Sequence, residues 1–127
     1  MQPAPSNSPK PAAPEKPEDK IRHLPDDVRA SFRRFQTEGD LAALDPVIFA
    51  ILEDFIPKTA ARPLAEFPGT TLLIDELGFD SLAITEVVFF TEDLFGISIA
   101  NEEIIQVRTL DDLRGFVRRK VAARAAG

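Results

Sequence analysis

The stretch "ELGFDSLAITEVVFFTEDLF", residues 76–95, carries the reading of the fold. On a wheel of about 100° per residue, positions 81–95 sort into two faces. Ala83, Ile84, Val87, Val88, Leu94 and Phe95, with Thr91 among them, share one broad arc, which predicts a helix buried along that side. The opposite arc holds Ser81, Leu82, Thr85, Glu86, Phe89, Glu92 and Asp93. A solvated face would carry those acids but would seldom include both a leucine and a phenylalanine. Apolar anchors ringed by charge form the pattern of a docking surface. From Asp75 to Glu103 the chain has eight acids and no lysine or arginine, so the field there is uniformly negative and suits a basic partner.

Upstream, Asp45 suits a helix N-cap, Pro46 the first helical position, and Pro57 forbids continuation. A helix over 46–56 follows, with Val47, Ile48, Ile51, Leu52 and Phe55 as its buried stripe. The next segment, with two prolines and a glycine, reads as a long irregular loop pinned by Leu64, Phe67, Leu72, Leu73 and Leu77. Downstream, Gly96 breaks the central helix, and Asn101 caps a short third one with Glu102 and Glu103 in its first turn. The last helix opens on a capping-box pattern, Thr109 to Asp112, buries Leu110, Leu113, Phe116, Val117 and Val121, and ends in cations, as the helix dipole favours. No run alternates apolar and polar residues as a half-buried strand would. The expected architecture is all-α, a bundle of three longer helices and one short helix over residues 45–124.

Ahead of that domain, residues 25–44 read as an extension. Val28, Phe32 and Phe35 recur at i, i+4, i+7 and predict a short amphipathic helix, while Arg29, Arg33 and Arg34 leave open whether it docks elsewhere or packs on the domain. Residues 1–24 begin with a run of Pro, Ala, Ser, Lys and Glu, a composition that cannot bury enough apolar surface to offset chain entropy, and read as a flexible tail.

Composition removes several classes of function. With 127 residues, no cysteine and a net charge of −6, the chain has room for one modest core, no thiol chemistry of its own, and no basic stripe for nucleic acid. No segment approaches eighteen consecutive apolar residues, and the start lacks a signal-peptide h-region, so no transmembrane segment is expected and a cytoplasmic protein is the default. The only histidine, His23, lies in a proline-flanked segment and reads as a solvated linker residue. No metal site and no catalytic residue is expected.

Ser81 therefore poses the functional question. A nucleophilic serine needs a base within hydrogen-bond reach and an oxyanion hole, and the sequence offers neither, nor a G-x-S-x-G elbow. At an exposed helix N-terminus, however, free N–H groups and the dipole favour a phosphate ester. A modified serine is the better reading.

The "LGFDSL" at 77–82 and the acid-faced helix after it resemble the phosphopantetheine attachment site of acyl carrier proteins. "LIDELG" before it, "TEDLFGI", "NEEI" and the "TLDDL" opening of the last helix extend the resemblance from about Asp45 to about Val121. It implies a four-helix acyl-carrier bundle in which Ser81 bears a 4'-phosphopantetheine arm from coenzyme A, so that the missing thiol arrives with the prosthetic group. By the same resemblance, Asp80 helps cap the helix and present Ser81 to a phosphopantetheinyl transferase, with Leu82 beside it at the attachment site. Leu82, Thr85, Glu86, Phe89, Glu92, Asp93 and Glu102 match the face that meets basic docking patches of acyl-loading, ketosynthase or acyltransferase-type enzymes. The implied protein is a monomeric carrier of a fatty-acid, polyketide or specialised lipid pathway, not an enzyme. An aminoacyl or peptidyl carrier and an unmodified interaction scaffold remain as alternatives. Ala83, Thr85 and Thr91 depart from the usual pattern of free-standing fatty-acid carriers, and "GFDS" resembles polyketide-type ones, which favours a dedicated carrier.

Overall fold

A computed structural model of the chain describes residues 16–126, with side chains over 16–124. Helices follow in the order α1 (Pro17–Lys20), α2 (Asp26–Glu38), α3 (Leu44–Phe55), α4 (Ser81–Phe95), α5 (Asn101–Ile104) and α6 (Leu110–Ala126). Among the described residues no strand forms; Leu72 and Thr109 make one isolated antiparallel bridge. The all-α bundle of three longer helices and a short one is thus present as α3, α4, α6 and α5, preceded by the amphipathic α2.

Helix α3 is the hub, packing against α2, α4 and α6. Its buried stripe is the one its spacing predicts, Val47, Ile48, Ile51 and Leu52, with Phe55 half-buried against Phe90 of α4 at 5.7 Å between ring centroids. It begins one residue before Asp45, with Ala43 as N-cap, so Asp45 is not the cap its neighbour Pro46 implied. The carboxylate is drawn instead across the bundle, where Arg114 Nη2 (2.9 Å) and Arg118 Nη2 (2.7 Å) of α6 donate to its Oδ2. Two guanidinium partners in a half-buried seam outweigh a single backbone N–H at a helix start.

The capping box of α6 forms as read: Asp112 N donates to Thr109 Oγ1 at 3.0 Å, and Thr109 N returns to Asp112 Oδ2 at 3.2 Å. The loop before α4 is pinned through the expected leucines, with Leu64, Leu73 and Leu77 buried and Phe67 and Leu72 half-buried. Polar contacts add to them. Glu53 Oε2 of α3 accepts from Leu64 N, Arg62 stacks 4.3 Å over the Phe67 ring, and Leu73 N donates to the carbonyl of Arg108.

The extension is part of this core. Phe32 of α2 is 1% exposed and meets Phe95 of α4 and Phe35 at centroid distances of 6.0 and 6.3 Å. Ile21 and Leu24 are buried as well, and α1 packs on α4, so the folded chain starts ahead of residue 25, inside the segment read as a flexible tail to residue 24. Average composition over that segment hides two well-spaced apolar anchors. Residues 1–15 of the expected tail lie outside the described residues. His23, between the two anchors, is exposed as read but is tied to the bundle: its Nε2 lies 2.5 Å from Asp54 Oδ2 in the last turn of α3.

Candidate functional site

The loop reaches α4 through Gly78, whose φ of +82° is open to glycine at little steric cost and turns the chain back on itself. Phe79 is then buried, and its N–H donates to the carbonyl of Leu73, which fixes the two residues that follow. Asp80 is the N-cap: its Oδ1 accepts from Ala83 N at 2.8 Å and its backbone carbonyl from Ile84 N at 2.9 Å. Ser81 is the first residue of the helix, is exposed, and its hydroxyl makes no hydrogen bond among the described residues. With Ala83 and Ile84 satisfied, the amides of Ser81 and Leu82 are the open donors at the positive end of a 15-residue helix. An oxygen ester of phosphate fits there. Thr85 is exposed, but its hydroxyl is turned back to the Ser81 carbonyl at 2.8 Å and offers its methyl outward instead of a donor.

The one histidine is held by Asp54 on another helix, and among the described residues no cluster of His, Cys, Asp or Glu is arranged to hold a metal ion. None of the described helices is long and apolar enough to cross a membrane.

Along α4, Leu82 and Phe89 are 68% and 62% exposed and sit two turns apart on the Ser81 side of the helix. The acids around them divide into two sets that a helical wheel does not separate. Glu76 accepts from Leu72 N, Asp80 caps α4, Glu92 accepts from Ile99 N at 2.7 Å, and Glu103 accepts from Ala100 N and pairs with Lys120. These four carboxylates hold the fold. The Ala100 amide first, then Lys120, keeps the Glu103 carboxyl below its ordinary value. Asp75, Glu86, Asp93 and Glu102 are exposed and make no hydrogen bond or ion pair among the described residues. Glu92, expected on the docking face, is therefore half-buried and engaged in closing the turn after α4, where Gly96 adopts φ +66°. Asp75, counted in the negative field of the sequence but not on the docking face, lies before the helix and so on no wheel.

A family model described as the phosphopantetheine attachment site matches residues 54–117, a span that includes the exposed serine and all of α4 and α5. The chain belongs to the acyl carrier protein family. The covalently bound prosthetic group of this acyl carrier protein is 4'-phosphopantetheine. Curated relatives agree. The meromycolate extension acyl carrier protein of Mycolicibacterium smegmatis is 28% identical over 62% of this chain and 80% of its own length. An acyl carrier protein of Thermobifida fusca is 26% identical over 54% of this chain and 86% of its own, and one of Solidesulfovibrio magneticus is 34% identical over 44% and 72%. The family match begins inside α3, so α1 and α2 lie outside it, although Ile21, Leu24 and the α2 residues Val28 and Phe32 share the same core.

Proposed function

We propose that this acyl carrier protein bears its 4'-phosphopantetheine on Ser81 and passes acyl groups between enzymes of a fatty-acid, polyketide or specialised lipid pathway. One observation carries the assignment: Ser81 is an exposed serine at the start of a long helix, with a hydroxyl free of hydrogen bonds beside open backbone amides. In the attachment reaction Ser81 Oγ would attack the phosphorus of coenzyme A that carries pantetheine. The Oγ–P bond forms, the pyrophosphate P–O bond breaks, adenosine 3',5'-bisphosphate leaves, and the serine proton passes to a base of the transferase. The arm supplies a terminal thiol on which acyl groups ride as thioesters, which this cysteine-free chain cannot provide itself.

The chain's own residues present and steer. Asp80 takes up the Ala83 amide, so the helix start is ordered while the Ser81 hydroxyl stays free. Leu82 and Phe89 are the apolar anchors, and Asp75, Glu86, Asp93 and Glu102 are the acids left to meet arginines and lysines of a transferase or of acyl-loading, ketosynthase or acyltransferase-type enzymes. In this reading the protein is a substrate of its partners, and the base that takes the Ser81 proton belongs to the transferase. Meromycolate extension, named for several relatives, makes long-chain lipid assembly the nearest pathway class. The test is intact mass after incubation with coenzyme A and a promiscuous phosphopantetheinyl transferase. A single phosphopantetheinyl addition that disappears in Ser81→Ala is the expected result; an addition that survives in Ser81→Ala would reject the site.

A further inference from the structure

Among the described residues four large apolar side chains are exposed, and two of them, Leu82 and Phe89, lie on α4. The others, Ile74 and Ile105, are 60% and 66% exposed, and backbone contacts bring their segments together at the Ser81 end of the bundle. Leu72 bridges Thr109, Leu73 N donates to the Arg108 carbonyl at 2.9 Å, and Phe79 N donates to the Leu73 carbonyl at 3.0 Å. Ile74 is thus the residue after a three-way junction of the loop, the α5–α6 link and the lead-in to Ser81. Ile105 closes α5, three residues ahead of Arg108 in the same link.

We infer that Ile74 and Ile105 are further docking anchors, extending the partner face beyond the N-terminal end of α4, so that an enzyme engaging Ser81 grips apolar side chains on both sides of it. The inference rests on Ser81 being the modified residue. Phe89 lies eight residues along the helix from Ser81, about 12 Å, while Ile74 and Ile105 belong to segments joined before the helix begins. A catalytic pocket closing over the serine must bury both regions.

Charge identifies the partner. Residues 63–107 contain no lysine or arginine, and among the acids Asp75 directly follows Ile74 while Glu102 lies in α5 three residues before Ile105. An apolar recess rimmed by cations is the complement, and the occupant is the phosphopantetheinyl transferase, which must reach the Ser81 hydroxyl whatever pathway the carrier serves.

The experiment measures KM for the carrier and kcat in phosphopantetheine transfer from coenzyme A, using one promiscuous transferase with the parent protein, Ile74→Asn, Ile105→Asn, the double variant, and Phe89→Ala as a comparison on α4. The double variant should raise KM about fivefold or more at unchanged kcat, each single variant about twofold to threefold, and urea midpoints should stay close to the parent value because both side chains are mostly exposed. A double-variant KM within 1.5-fold of the parent would overturn the inference, as would a fall in kcat alone. A parent that takes up no phosphopantetheine, or a Ser81→Ala variant that still does, would instead reject the serine assignment, and this inference with it.

Discussion

Replacing Phe32 by alanine tests whether α2 is a structural helix of the carrier or an attached appendage. The ring is 1% exposed and makes two aromatic contacts, with Phe35 and with Phe95 at the end of α4. Truncating a phenylalanine in a closed core costs about 3–5 kcal/mol, and the lost ring pairs place this site in the upper half of that range. A domain of this size has about 5–15 kcal/mol in all, so a loss near 4 kcal/mol is a large share. With a urea dependence of about 2 kcal/mol per molar, the unfolding midpoint should fall by about 2 M as one cooperative transition. Transfer of phosphopantetheine to the folded variant should be unchanged, since Phe95 is fourteen residues from Ser81 along α4, about 21 Å. A loss below about 1 kcal/mol, or a second transition at the parent midpoint, would show that α2 melts apart from the bundle and would refute the reasoning.

Other outcomes follow from the same contacts. Asp45→Ala should destabilise by about 2–3 kcal/mol in urea titration, because it strands Arg118 and leaves Arg114 only Asp111, in a seam where each guanidinium is about one-third exposed; Asp45→Asn should cost less by keeping one acceptor. The Arg108 and Thr109 amides hold the Asp112 carboxyl below its ordinary value of 3.8, so the stability it contributes is complete above that value and is lost as pH falls through the lower folded value. Asp112→Asn should therefore flatten the acid limb of a stability-versus-pH curve below about pH 4. Reversing Glu86 and Asp93 to lysine should raise the transferase KM about tenfold at low salt with little change in melting temperature. Glu92→Ala should do the opposite, lowering the melting temperature by leaving the Ile99 amide without its acceptor while keeping KM near the parent value.

What could be read from the sequence was local. The arc of Ala83, Val87, Thr91, Leu94 and Phe95 specified α4, and Thr109 with Asp112 specified the start of α6, because each signal is complete within a turn or two. The failures came from partners distant along the chain. Asp45 has the composition of a cap, but its guanidinium partners lie 69 and 73 residues on. His23 and Asp54 meet only because Ile21 and Leu24 dock. Glu86 and Glu92 look alike on a wheel, and only the path of the chain after Gly96 gives Glu92 an amide to accept and leaves Glu86 for a partner.

The central claim is tested most directly on protein purified from its native source. No arginine or lysine that trypsin cleaves lies between Lys58 and Arg108, since Arg62 precedes proline, so one peptide, residues 59–108, holds both Ser81 and Ser98. Fragmentation of that peptide should place a phosphopantetheinyl group on Ser81, with any acyl cargo on it released by neutral hydroxylamine, as a thioester is. A peptide recovered only in unmodified form, or modified at Ser98, would contradict the account.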